Sequence, residues 1–224
     1  MLFRSRQGAV RDLRAIANLY PEALHIVLRR AAGIREFRQL RGKTVSLGDK
    51  DSSTLVSARA VLQAAGLQEK DIKPRFLKPA EAADAMRDGR IDAFFDMSGM
   101  PSPTIADLAR DTPVDLLPID GTLAKRLMAS SPFFAETFVP VTVYAGIVET
   151  YTVAVGVLWI VHAGVDEATV YGLTRALWHP NNRRALDAGH PYGKSIRQKT
   201  ATEGIALQLH PGAALYYFEA GLIK

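Results

Sequence analysis

Short apolar runs alternate with amphipathic stretches through the middle of the chain, between Gly42 and Ser130. The apolar runs are typical of buried strands, and they read GKTVSLG, IKPRFL, IDAFFDM and VDLLPID. The amphipathic stretches have helical spacing, and they read STLVSARAVLQAAGL, PAEAADAMRDG, PSPTIADLAR and GTLAKRLMASS. This alternation of strand and helix predicts that Leu40 to Ile147 forms an α/β unit with a mainly parallel sheet.

The flanking segments predict a second unit. Near the start, LRAIANLY and LHIVLRR predict two strands on either side of a turn at Pro21 and Glu22. Later, TVAVGVLWIV predicts a long buried strand, which we assign to a different sheet, and helices follow in DEATVYGLTRALW, NNRRALDAG and PGAALYYFEAG. A chain that crosses between two sheets favours a two-lobed protein, and open α/β sheets bind ligands at the carboxyl ends of their strands.

Composition indicates an ordinary soluble globular protein. The chain has 224 residues, of which 48% are hydrophobic and 23% charged. The net charge of +5 is scattered, with its densest clusters at residues 4–14 and 29–43, so it does not favour a nucleic-acid partner. The longest apolar stretch, Tyr151 to Val165, is too short to span a bilayer, and no apolar core follows the charges of MLFRSRQ as a signal peptide requires. We therefore expect either a cytoplasmic protein or a missing natural beginning.

Three hydroxyl residues, Ser52, Ser53 and Thr54, open the first predicted helix directly after a strand. A helix start carries unpaired N–H groups and a partial positive charge, so hydroxyls there either cap the helix or contact an anion. Three hydroxyls exceed what a cap needs, whereas Asp49 and Asp51 oppose an anionic ligand. The sequence is compatible with both interpretations.

A second loop, DMSGMPSP, also follows a strand and precedes a helix. Ser98 and Gly99 offer a hydroxyl group and an accessible backbone to the same crevice. The alternative interpretation is a tight turn built from ordinary turn residues.

Catalytic signatures are weak. The five histidines show no metal-ligand spacing, and there is no nucleophile elbow, P-loop or dinucleotide-binding glycine motif. With no cysteine, thiolate chemistry is excluded. We expect neither catalytic residues nor a metal or organic cofactor.

Several segments resemble, in the same order, the TAXI family of solute receptors of TRAP transporters, from about Leu13 to Gly221. The segments are LRAIANLYPEALHIVLR, LRGKTVSLG, SSTLVSARAVLQAAGL, AEAADAMRDGRIDAFF, SGMPSPTIADLA, LLPID and LHPGAALYYFEAG. The resemblance implies a two-lobed type II periplasmic-binding-protein fold. It also implies a periplasmic receptor that passes a small organic solute, often a glutamate-like amino acid or a dicarboxylate, to a membrane permease.

The resemblance also implies site residues. The family's ligand loop corresponds to Ser52, Ser53 and Thr54, and its glycine-containing turn corresponds to Ser98, Gly99 and Pro101. Tyr144 matches a family tyrosine near the hinge, and Tyr20 and Glu22 also fall near the hinge. The family usually has Ser-Gly-Thr where this chain has Ser52, Ser53 and Thr54, and DKD replaces a loop with glycine and proline.

The largest departure is at the front, where the family's signal peptide and glycine-rich first segment have no counterpart. The resemblance therefore implies an incomplete lobe I at residues 1–38 and 148–224 and a complete lobe II at 39–147. An incomplete lobe leads us to expect weak solute binding or none, and self-association through an unpaired sheet edge. Two other classes stay open, an effector-binding domain of a transcriptional regulator and an enzyme on the same two-lobed fold.

Overall fold

A computed structural model describes residues 3–5, 8–10 and 12–224, and for residues 3–5 and 8–10 it describes the backbone alone. The basic cluster at residues 4–14 lies partly outside the described side chains. The strands are β1 (Phe3–Ser5), β2 (Gly8–Val10), β3 (Leu13–Arg29), β4 (Thr44–Ser46), β5 (Lys73–Arg75), β6 (Ala93–Ser98), β7 (Val114–Leu116), β8 (Ala135–Val139) and β9 (Thr150–His162). The α-helices are α1 (Ser53–Ala64), α2 (Pro79–Arg87), α3 (Pro103–Asp111), α4 (Gly121–Ser130), α5 (Glu167–Trp178), α6 (Arg183–Gly189) and α7 (Pro211–Glu219). Short 3₁₀ turns are Arg30–Ala32, Phe37–Leu40, Glu69–Asp71, Pro180–Asn182, Gly193–Ser195 and Gln198–Thr200.

The α/β fold class is confirmed. In the described residues one mixed sheet has the order β5-β4-β6-β3-β9-β8, with β7 paired to β3, and β1 pairs with β2 separately. β4 runs parallel to β5 and β6, as the alternating pattern predicts. β3 is antiparallel to β6 and β7, and β8 is antiparallel to β9. The sheet is therefore mixed as a whole, although the two pairs that contain β4 are parallel.

The predicted turn at Pro21 and Glu22 is wrong, because β3 is one continuous strand. The amide of Asn18 donates to the Ala201 carbonyl before this point, and Ala23 pairs with Ser98 after it. Proline holds φ near the extended range, so it continues a strand wherever its missing N–H is not needed.

The assignment of the second long strand to a different sheet is also wrong. β9 belongs to the same sheet, where Tyr151 pairs with Phe138 of β8 and the Thr152 hydroxyl donates to the Leu24 carbonyl of β3 at 2.5 Å. β1, β2 and β8 were not predicted.

The chain divides into two compact units. Unit 1 comprises Met1–Pro21 and Gly156–Lys224, and unit 2 comprises Glu22–Val155. The predicted lobe boundaries, 1–38 with 148–224 against 39–147, differ from this division at both long strands. Residues 22–38 and 148–155 group with unit 2, because the second half of β3 pairs with β6 and β7 and the start of β9 pairs with β8.

Each unit has its own core. In unit 2, one apolar cluster lies between the sheet and helices α1 and α4, and another involves α2 and α3. In unit 1, Ile16 and Ala17 of β3 pack with Val170 of α5 and with Ala213 and Tyr217 of α7. The spacing of Leu55, Ala58, Leu62 and Ala65 predicts one buried face of α1. The first three are buried, whereas Ala65 is half-buried at the C-cap, and Gly66 follows the end of the helix.

Candidate functional site

Four helices of unit 2 begin at the same edge of the sheet. β4 runs parallel to β5 and β6, and β6 and β7 are both antiparallel to β3, so β4, β5, β6 and β7 share one direction. Helices α1, α2, α3 and α4 follow the carboxyl ends of these four strands in turn. Their first turns therefore bring unpaired N–H groups to the edge where α/β sheets bind ligands.

The three hydroxyl residues at the start of α1 have different roles. Ser52 is the N-cap, since its Oγ accepts from the Leu55 amide at 3.1 Å and donates to the Asp49 carbonyl at 2.8 Å. Thr54 is buried, and its Oγ1 accepts from the Met97 amide of β6 at 3.2 Å. Ser53 is exposed, and its hydroxyl makes no hydrogen bond to another described residue. Two of the three hydroxyls thus hold the loop, and Ser53 is open to a ligand.

The loop before α1 is tightly folded. Gly48 has φ of 89°, and a Cβ at this position would lie 2.7 Å from Thr54 Cβ and 2.9 Å from Ser52 Oγ. Asp51 also has positive φ, at 73°. Backbone conformations of this kind are costly for residues other than glycine, and they recur where a loop is shaped for binding.

The second predicted loop is organised by the buried carboxyl group of Asp96. Asp96 Oδ2 accepts from the Ser98 hydroxyl at 2.8 Å and from the Ser102 hydroxyl at 2.9 Å. Gly99 is buried and Ser98 is half-buried. The loop therefore contributes one partly accessible hydroxyl, which is already engaged within unit 2.

Tyr144 lies inside unit 2 and is 3% exposed. Its hydroxyl oxygen accepts from the Ser102 amide at 2.8 Å and lies 3.0 Å from His25 Nε2. His25 is the cross-strand partner of Asp96, and its Nδ1 has no hydrogen-bond partner in the described structure. No local sequence pattern indicates this network, because His25 and Tyr144 are 119 residues apart.

The electrostatics of the network are set by burial. Burial lowers the pKa of His25 below its ordinary value, although the nearby Asp96 carboxyl group acts in the opposite direction. The pKa of Glu22 is raised, first by partial burial and then by the charge of Asp96. In the described part of the chain neither Glu22 nor Asp96 forms an ion pair.

Tyr20 lies in unit 1, apart in the domain division from the other six predicted site residues. Its ring packs against His190 and Tyr192, with centroid separations of 5.8 and 5.3 Å. The structure thus gathers Ser52, Ser53, Thr54, Ser98 and Gly99 at neighbouring strand ends and places Tyr144 beneath the second loop.

A cavity of about 590 Å³ opens where α4 begins. Its lining includes Asp120 and Gly121 from that helix start, Phe138 from β8 and Tyr151 from β9. The only sequence signal for it is the segment LLPIDG, which leads from a strand into a helix. Sequence reasoning missed it because β8 was not predicted.

Within the described residues, no three His, Asp or Glu side chains converge as metal ligands would. None of the described helices is both long enough and apolar enough to cross a bilayer.

The chain is an α/β protein with an open mixed sheet. Hydroxyl residues lie in the loops that follow two of its strands. The sequence profile of the NMT1-like family matches residues 3–221, and the chain belongs to this family.

Several solved structures are similar to this chain. The alkanesulfonate-binding protein SsuA from Xanthomonas axonopodis pv. citri, bound to MOPS, is 30% identical over 47% of this chain and 36% of that chain, with a TM-score of 0.39. The periplasmic aliphatic sulphonate binding protein SsuA from Escherichia coli is 18% identical over 95% of this chain and 71% of that chain, with a TM-score of 0.47. A putative periplasmic sulfonate-binding protein SsuA from Methylobacillus flagellatus KT is 13% identical, over 94% and 63%, with a TM-score of 0.43. The chain thus spans from about a third to less than three quarters of the length of these proteins.

Proposed function

We propose that this chain is a solute-binding receptor of a TRAP-type transporter of the TAXI kind. It captures a small organic solute in the periplasm, such as a glutamate-like amino acid or a dicarboxylate, and delivers it to the membrane permease. Support comes from membership of the NMT1-like family, from the co-linear segments between Leu13 and Gly221, and from the edge of unit 2 at which four helices begin.

One hydrogen bond carries the proposal for the site. The Met97 amide donates to Thr54 Oγ1, which joins the start of α1 to the end of β6 and so brings the two hydroxyl loops together. In this proposal Ser53 and the half-buried Ser98 face the solute, and Gly99, which is buried, stays a predicted contact. Ser52, Thr54 and Tyr144 hold the loops in position, and Tyr20 stays a predicted contact.

The charges at this edge favour an amino acid over a dicarboxylate. Glu22 and Asp96 are carboxyl groups close enough for the charge of Asp96 to raise the pKa of Glu22. An ammonium group would stabilise the charged form of both, whereas a second carboxylate on the solute would be repelled.

The test is a titration of the ¹⁵N-labelled chain with L-glutamate and with succinate, followed by amide shifts. We expect saturable shifts at residues 52–55 and 97–99, with glutamate binding more tightly. Ser53→Ala should weaken binding severalfold. Ser130→Ala is the matched control, because Ser130 lies at the far end of α4, about 15 Å from the helix start. No saturable shift with either solute, or equal effects of the two variants, would overturn the proposal.

A further inference from the structure

The cavity at the start of α4 has a buried floor. Ile119 is 1% exposed and Thr152 is 3% exposed, and the Thr152 hydroxyl is already bonded to the Leu24 carbonyl. The floor therefore offers shape rather than free polar groups. The volume of about 590 Å³ lies within the range of small-molecule sites, roughly 300–1,000 Å³.

Two aromatic rings form one wall of the cavity. Phe138 and Tyr151 are cross-strand partners on β8 and β9, and their ring centroids are 6.3 Å apart. The two side chains are 45% and 56% exposed. Aromatic rings left open in a concave surface offer π faces that attract a cation as well as apolar area.

Two carboxyl groups complete the lining. Asp120 comes from the start of α4 and Glu136 from β8. Neither makes an ion pair or a side-chain hydrogen bond in the described structure, and Asp120 does not cap α4 although it is the N-cap residue. No Lys, Arg or His is among the described residues that line the cavity.

The start of α4 opposes this negative charge only weakly. A helix N-terminus is equivalent to roughly half a positive elementary charge. Two carboxylates carry about four times that charge with the opposite sign, so the cavity attracts cations.

We propose that this cavity binds an organic cation, an ammonium or guanidinium group on a small molecule. The cation lies against the rings of Phe138 and Tyr151 and is paired by Asp120 and Glu136. This site has a different lining from the strand-end loops of the proposed function and does not depend on them.

The test uses agmatine as the probe, with adipate as a dianion of similar length, in titrations of the ¹⁵N-labelled chain. Agmatine should shift the amides of residues 119–121, 136–138 and 151–152 saturably, and adipate should not. Glutamate reports on residues 52–55 and 97–99 in the same experiment, so failure of one site is distinguishable from failure of the other.

Matched variants test the chemistry. Glu136→Gln and Asp120→Asn should each weaken agmatine binding by roughly tenfold, as expected for a charge-assisted hydrogen bond. Tyr151→Leu, which keeps apolar bulk but removes the π face, should weaken it by a few-fold. Glu167→Gln removes one exposed carboxylate in unit 1 and should leave binding unchanged. The proposal is overturned if adipate produces the same shifts, if agmatine produces none, or if Glu136→Gln behaves like Glu167→Gln.

Discussion

At the scale of single residues, four polar side chains buried in unit 2, those of His25, Asp96, Ser102 and Tyr144, form one cluster. Tyr144 accepts from the Ser102 amide and contacts His25, and the Ser102 hydroxyl donates to Asp96. A buried group that loses its partner costs about 1–3 kcal/mol, which is a large part of the stability of an ordinary domain.

Tyr144→Phe should therefore lower the free energy of unfolding by about 1–3 kcal/mol, because the Ser102 amide and His25 Nε2 lose a partner. Urea denaturation gives the value. Tyr151→Phe is the control, since Tyr151 is more than half exposed, and it should change stability by less than about 0.5 kcal/mol. Equal effects of the two variants would show that the Tyr144 hydroxyl is not held as described.

His25 makes stability depend on pH. Its pKa is lowered in the folded protein by burial, so the unfolded chain binds more protons than the folded chain once the pH falls through the unfolded value of about 6.5. Stability contributed by His25 is therefore present above that pH and lost on acidification, by at most about 1.4 kcal/mol per pH unit. Glu22, whose pKa is raised, acts in the opposite sense above its unfolded value.

We expect the His25 ring resonances to titrate below pH 6.5 in the folded protein. An NMR pH titration of the unsubstituted chain measures this directly. A midpoint at or above 6.5 would contradict the prediction.

At the scale of elements, the start of α1 combines a cap with an exposed hydroxyl. Ser52→Ala removes the cap on the Leu55 amide and should cost about 1 kcal/mol. Ser53→Ala should cost less than about 0.5 kcal/mol, since its hydroxyl is exposed. Thermal and urea unfolding of the two variants measure each loss of stability separately. A larger loss of stability for Ser53→Ala than for Ser52→Ala would show that Ser53, and not Ser52, is the cap.

The turn before α1 needs glycine for two reasons, its positive φ and the nearness of Thr54. Gly48→Ala should cost about 2 kcal/mol or more, the sum of backbone strain and displacement of Thr54. Gly66→Ala is the matched control, because Gly66 also has positive φ but nothing within 4 Å of the added Cβ, so it should cost about 1 kcal/mol. Similar losses in denaturation would mean that Thr54 moves without cost.

At the scale of the whole molecule, the two compact units have separate cores. Unit 1 is centred on Tyr217, which is fully buried and accepts a hydrogen bond from Trp178 Nε1 at 3.0 Å. Unit 2 contains Phe94, which is also fully buried. The strands β3 and β9 each have residues in both units, whereas each apolar cluster belongs to a single unit.

Tyr217→Ala should remove about 3–5 kcal/mol of local stability from unit 1, because it leaves a cavity in that core. Hydrogen exchange should accelerate most in α5 and α7. Phe94→Ala should do the reverse and accelerate exchange most in β4 and β6. Uniform acceleration by both variants would show that the molecule opens as one cooperative unit.

The sequence by itself determined most of the elements. Helix α1 was predictable because Leu55, Ala58 and Leu62 repeat at helical spacing and Gly66 permits the stop. The parallel arrangement of β4, β5 and β6 followed from the strand–helix alternation, since such a crossover needs a helix. The same local signals located both hydroxyl loops, because a loop that ends a strand and starts a helix is visible in the chain itself.

Only the tertiary structure decided what the polar residues do. Whether Ser52 or Ser53 is the cap depends on which side chain reaches the Leu55 amide, and the role of Thr54 depends on Met97, 43 residues away. The network of His25, Asp96 and Tyr144 and the cavity between α4, β8 and β9 join residues that are distant in sequence. Periodicity reports which face of an element is buried, but it carries no information on which element covers that face, and both features depend on that pairing.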